Sequence, residues 1–260
     1  MLVAFVVLTL HQRFKGQKYF AMTEYWVYIP GTQLPKQDEV MNLVLQGNSP
    51  VGPQEGLLFS DIRLHISLVL RSKNAHLFRP DLFDEHIEPT AEVLRAMAES
   101  QALVKIRYIS EEKLNSDSHL QLLPFLAYAY CKLADGKAVF DVPAEKLMTM
   151  EEFKGGLKDR NARRPDMHIN VIWRRTEDGG RVETRGLVKK GITELATADV
   201  NSDERLLVTG LIEDAADKIW DAGSLPDQIE VEAYNDLFRL QIAPPKENRA
   251  EVRILRVQTQ

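Results

Sequence analysis

Between Asp61 and Arg71 the chain alternates cleanly. Ile62, Leu64, Ile66, Leu68 and Leu70 fall on one side, and Asp61, Arg63, His65, Ser67 and Arg71 on the other. Strand side chains point alternately to two faces, so this period predicts a long strand with one buried face. Leu103 to Ile109 repeats the pattern, with Val104, Ile106 and Tyr108 against Lys105 and Arg107. Tyr25 to Ile29 is β-branched and aromatic and stops at Pro30-Gly31, which predicts another strand.

Apolar residues at helical spacing predict helices over residues 36–46 (Val40, Leu43, Val44), 88–100 (Val93, Leu94, Met97, with Pro89 in the first turn) and 144–158. From Pro124 to Ala134 the chain is apolar on nearly every side. That marks a buried helix, with Pro124 in its first turn and Gly136 at its stop. The clearest helix covers residues 203–222. Asn201 or Ser202 caps it, Asp203 and Glu204 fill the first turn, Gly223 follows the end, and Leu207, Leu211, Ala215 and Ile219 form the apolar stripe. Further strands are expected at 138–142, in a hairpin of residues 167–174 and 182–188 turning at Asp178-Gly179-Gly180, and at 228–233, 237–242 and 251–257. Neither a strict strand–helix alternation nor a run of strands alone is present. The order predicts an α+β fold with mixed or mainly antiparallel sheets and packed helices. Two similar-sized α+β subdomains, 22–160 and 161–260, would meet in the polar, basic stretch 158–165.

The amino terminus stands apart. Leu2 to Leu10 is almost wholly apolar and is followed by His11, Arg13, Lys15 and Lys18. A secretion signal carries its positive charge before the apolar run and a small-x-small cleavage site after it, whereas here the basic residues come after and Phe20-Ala21-Met22 is not such a site. The run is also far shorter than the roughly 20 residues that cross a bilayer. It reads as a buried N-terminal strand, with an upstream extension of residues 1–21 before a start at Met22 as the alternative.

Composition adds exclusions. A chain of 260 residues, 44% hydrophobic and 27% charged, is too apolar to be disordered. The single cysteine, Cys131, excludes a disulfide framework and cysteine-based zinc sites and points to the cytoplasm. A formal net charge of −5 gives no ground for nucleic acid or an anionic membrane as partner. The distribution of that charge is uneven: residues 154–190 hold 11 Lys/Arg and 5 Asp/Glu, whereas residues 191–236 hold 2 and 12. The functional reading is an anion-binding patch at Arg163, Arg164 and Arg174, and an acidic helix that presents Glu213, Asp214, Asp217 and Asp221 to a basic protein. The competing reading is that the two regions neutralise each other or are solvated faces. Trp173 is the only aromatic within the basic segment and alternates inward, so a stacking platform for nucleic acid is not expected.

Candidate chemistry is sparse. The histidines do not fall at the spacing that places two metal ligands on one helix face, and no phosphate-cradle or nucleophile-elbow motif occurs. Neither a metal nor a cofactor is expected. Asp81, Asp84, Glu85 and His86 are ligand types in one stretch, but acidic residues before a helix also serve its dipole. The polar strand face of Asp61, Arg63, His65 and Ser67 is the candidate catalytic surface, with His119 or His168 contributed from elsewhere. A solvated strand face asks for the same residues. Cys131, inside a buried helix, is expected to be inert.

Two passages carry a resemblance. Leu122-Leu123-Pro124 through Gly136 into Ala138-Val139-Phe140-Asp141, and Thr184-Arg185-Gly186-Leu187 followed by Gly191, Glu194-Leu195 and an acidic amphipathic helix, resemble a bacterial domain family of unknown function over about residues 60–240. Members often carry a histidine near the Thr-x-Gly-Leu passage, where this chain has Glu183 and Arg185. The resemblance implies a cytoplasmic α+β protein starting at Met22 and supplies no activity. If it holds, Gly186 suits a bulge or a close backbone approach. The expectation is a non-catalytic binding protein of immunity or adaptor type, with a hydrolase as the alternative.

Overall fold

The computed structural model of the chain describes residues 20–45, 51–83, 87–157, 160–177, 179–246 and 248–257. The apolar run 2–10 and the stretch Asp84 to His86 lie outside the described residues. The fold is α+β, with two mostly antiparallel sheets. The chain forms two compact units, one of Met1–Val142 with Lys146–Arg163 and one of Pro143–Glu145 with Arg164–Gln260.

The first unit is built on a five-stranded sheet in the order β2-β3-β1-β4-β5, antiparallel throughout. Its strands are β1 (Ala21–Ile29), β2 (Leu64–Leu70), β3 (Ala102–Ser110), β4 (Ala138–Asp141) and β5 (Lys146–Thr149). β1 is central and buried on both faces, which is why its sequence shows no polar alternation. Helix α1 (Gln37–Leu45) packs on α3 (Ser118–Leu133), and α3 lies over β1 and β3. On the other face, Trp26, Tyr28, Leu103 and Phe140 form a core with Phe78, Leu82, Val93 and Met97, where α2 (Ala91–Glu99) covers the sheet. A short helix, α4 (Met150–Gly156), closes this unit through Phe153, whose ring meets Tyr25 edge-on.

Several boundaries differ from those expected. The predicted strand from Asp61 begins only at Leu64. The Asp61 carboxylate accepts from the Arg63 backbone N–H and guanidinium, which holds residues 61–63 in a turn and leaves Ile62 89% exposed rather than buried. Arg71, past the strand end, donates to the carbonyls of Met97 and Ser100 and so caps the carboxyl end of α2. That helix starts after Pro89, with the Thr90 hydroxyl accepting from Val93 N–H as its cap. Pro124 lies inside α3, not in its first turn, because the helix begins six residues earlier, at Ser118. The expected helix 144–158 splits into β5 and α4 at Thr149, where a capping box with Glu152 starts the helix afresh.

The second unit has six strands in the order β6-β7-β8-β11-β10-β9. They are β6 (Asn170–Thr176), β7 (Gly179–Arg185), β8 (Glu194–Thr197), β9 (Gln228–Ala233), β10 (Asp236–Ile242) and β11 (Arg249–Val257). Only β8 and β11 pair in parallel. Helix α5 (Arg205–Ala222) covers one face through Val208, Leu211, Ile212, Ala215, Ile219 and Trp220. It starts two residues later than expected, with Glu204 at the cap and no side-chain cap bond, and ends at Gly223 in a left-handed conformation. β7 stops at Gly186, which has φ of 108°. A Cβ there would overlap the His168 carbonyl oxygen, so the backbone approach at this position admits only glycine.

Candidate functional site

The exposed side of α5 carries Glu213, Asp214, Asp217 and Asp221. Glu213, Asp217 and Asp221 recur every fourth residue and therefore share one ridge, about 12 Å long at 1.5 Å per residue. Among the described residues no ion pair reaches any of the four. The neighbouring cation, Lys218, donates instead to the Glu230 carbonyl oxygen. Partial burial raises the Asp217 carboxyl, and the surrounding carboxylates of Asp214, Asp221, Asp166 and Glu213 raise it further. Arg205, its guanidinium over the Trp173 ring, sits at the amino end, and Asp221 lies in the last turn, where the Lys190 ammonium donates to the Trp220 carbonyl.

The arginines of the basic segment are not an open patch. Arg163, in the first unit, binds Glu55 and also reaches Asp117 at 3.3 Å. In the second unit Arg164 lies 3.2 Å from Asp166, and Arg174 lies 3.6 Å from Glu183. Each of the three faces carboxylates of its own unit, so the anion-binding reading of this cluster has no free cations behind it. Arg181 likewise meets Asp199.

Asp61, His65 and Ser67 do not form one catalytic face. Asp61 serves the turn before β2 and accepts from the Tyr108 hydroxyl at 3.2 Å, and its carboxyl is held below the usual range chiefly by its bond to Arg63. His65 and Ser67 are exposed and pair in register with Arg107 and Lys105, one residue off the Tyr108 face. His119 is buried in the first unit, stacked on Tyr108, and His168 is buried in the second, stacked on Trp220. A cleft of about 250 Å³ in the first unit is lined by Leu34, Val40, Phe59, Ile66 and Tyr130, without His65 or Ser67. The geometry therefore does not assemble a hydrolase from these residues. Among the described residues no group of three or more histidine, cysteine or acidic side chains is placed to hold a metal.

Buried polar clusters in the second unit had little signal in the sequence. Glu183 is 1% exposed and is held by Arg185 at 2.6 Å and Arg249 at 3.2 Å, while Arg185 also binds Glu145 at 2.9 Å. Burial pushes the Glu183 carboxyl up, but Arg185, Arg249 and Arg174 together bring it below the usual range. Glu194 accepts from the backbone N–H groups of Gly186 and Val188 and from the Thr184 hydroxyl, so it caps the helical turn Leu187–Lys190. Burial raises its carboxyl despite those donors. Lys189 is fully buried, with its ammonium 3.3 Å from His168 Nδ1. The Glu-x-Arg spacing at 183–185 was the available clue, since both residues must share one strand face. These groups bond to one another and to the backbone, which makes them a framework for the turn and sheet.

No protein-family model matches the chain, and no curated protein or solved structure is significantly similar to it.

Proposed function

We propose that the chain is a non-catalytic binding protein of the bacterial cytoplasm, of immunity or adaptor type, whose α5 carboxylates dock a basic protein. The reading rests on one observation: the exposed acids of α5 share one ridge that no ion pair reaches among the described residues. Like charges four residues apart on a helix are unfavourable by about 0.2–0.5 kcal/mol per pair. Asp221, in the last turn, opposes the helix dipole as well, which the Lys190 ammonium on the Trp220 carbonyl offsets in part. Ion pairs would offset that cost, yet none reaches Glu213, Asp214, Asp217 or Asp221 among the described residues. A basic partner supplies the missing counter-charge, and the ridge fits a segment presenting lysine or arginine over about two helical turns.

The test is a titration of isotope-labelled protein with a lysine- and arginine-rich peptide, followed by amide NMR. Shifts are expected to concentrate on residues 210–222 and to weaken steeply with salt. Shifts centred elsewhere would remove the proposal.

A further inference from the structure

We infer that the outer edge of β2 is a self-docking surface, on which a second copy of this chain adds its own β2 to make one continuous ten-stranded sheet. Among the described residues, no strand pairs with the outer edge of β2. In the antiparallel ladder with β3, Ile109 N–H donates to the Arg63 carbonyl and Arg71 N–H to the Gln101 carbonyl. Residues 63, 65, 67, 69 and 71 therefore aim their backbone groups at β3, and Leu64, Ile66, Leu68 and Leu70 aim theirs outward. At the ends of the edge some groups are used: Leu64 N–H donates to Asp61, and the Leu70 carbonyl accepts from Lys73 and Asn74. Among the described residues no hydrogen bond reaches the outward N–H or C=O groups of Ile66 and Leu68.

The other three edges of the two sheets are blunted in the ways that suppress such pairing. β5 is only four residues long and begins with Lys146, β6 carries Arg174 and Arg175, and β9 carries Glu230 and Glu232. β2 reads Leu-His-Ile-Ser-Leu-Val-Leu, with no Lys, Arg, Asp, Glu or Pro. Apolar surface continues around it. Ile62 is 89% exposed just before the strand, and the cleft beside Ile66 includes Leu34, itself exposed.

The sequence of the edge selects a second copy as its occupant. The antiparallel register that overlaps all seven residues places Ser67 on the two-fold axis. Leu64 then faces Leu70, Ile66 faces Leu68 and His65 faces Val69 of the other copy. The outward-pointing Ile66 and Leu68 exchange backbone hydrogen bonds with their counterparts, and within the strand no two like charges oppose each other; just beyond it Arg63 faces Arg71, each already held in its own copy, Arg63 by Asp61 and Arg71 by the carbonyls that end α2. The same operation on β9 would crowd glutamates together.

Ser67 faces Ser67 at a position whose backbone groups point away from the new partner. Such a non-hydrogen-bonded pair has Cα atoms about 4.5 Å apart, within the range a disulfide spans. Ser67→Cys is therefore expected to form a covalent dimer under mild oxidation with diamide. His65→Cys, whose two copies would lie four residues apart along the strands, is expected not to. The unmodified chain should sediment as a concentration-dependent dimer, and Ser67→Lys, which sets two ammonium groups face to face at an exposed position, should sediment as a monomer. The inference is overturned if the unmodified chain stays monomeric throughout the accessible concentration range. It is equally overturned if His65→Cys crosslinks as readily as Ser67→Cys.

Discussion

Glu183 and Glu194 lie in one unit and titrate in opposite directions, which gives them opposite roles in stability. Glu183, held low by its arginines, contributes above the carboxyl value of the unfolded chain and loses that contribution as pH falls through its folded value. Glu183→Ala leaves Arg185 short of one buried partner and is expected to cost about 3–5 kcal/mol in urea denaturation at neutral pH, the gap narrowing in acid. Glu194, raised by burial, stabilises when protonated, and its contribution declines as pH rises toward its folded value. Glu194→Gln keeps an oxygen for the Gly186 and Val188 amides, so it should fold and should remove that decline. Persistence of the decline in the variant would show that another group causes it. Burial pushes the Cys131 thiol up to about 12, and its Sγ donates to the Gly136 carbonyl. Labelling by a disulfide reagent should therefore follow the unfolding rate rather than the reagent concentration. Cys131 was legible as inert from its apolar helix. The partners of Glu183 and Glu194 were not, because they join residues from strands whose register the sequence does not reveal.

At the scale of elements, periodicity located the strands and helices with one buried face. It failed where local chemistry overrides pattern. Asp61 folds back on Arg63 and shortens β2, and the capping box at Thr149 divides a segment that reads as one helix. β8 has only four residues and alternates too briefly to be seen. Helix α5 was the element best foretold, down to Gly223, and its exposed acids were recognisable as a group. What the sequence lacked was the absence of ion pairs to them among the described residues, which depends on where Lys218 and the arginines of the basic segment point. If those acids are a binding surface, replacing Asp217 and Asp221 with asparagine relieves repulsion and the clash with the dipole. The double variant should be as stable as the parent or more so, by up to about 1 kcal/mol in thermal or urea unfolding. A loss of stability would make the acids part of the fold's own support.

Taken over the whole chain, the α+β class and the mainly antiparallel sheets follow from the mixed order of elements. The uneven charge resolves differently at its two ends. In the basic stretch several arginines are held in internal pairs, among them Arg163 with Glu55, Arg174 with Glu183 and Arg181 with Asp199. In the acidic one, the carboxylates of Glu213, Asp214, Asp217 and Asp221 on α5 are among those that face solvent. The net charge of −5 is therefore carried in part by one unpaired ridge, and that asymmetry is the basis of the proposed docking. The most direct test is calorimetric binding of a lysine- and arginine-rich peptide to the Asp214→Asn, Asp217→Asn, Asp221→Asn triple variant, set against the parent chain. The predicted result is an affinity at least about tenfold weaker, the equivalent of 1.4 kcal/mol, in a variant that unfolds no more easily than the parent. Equal affinity in the two proteins would contradict a docking role for α5.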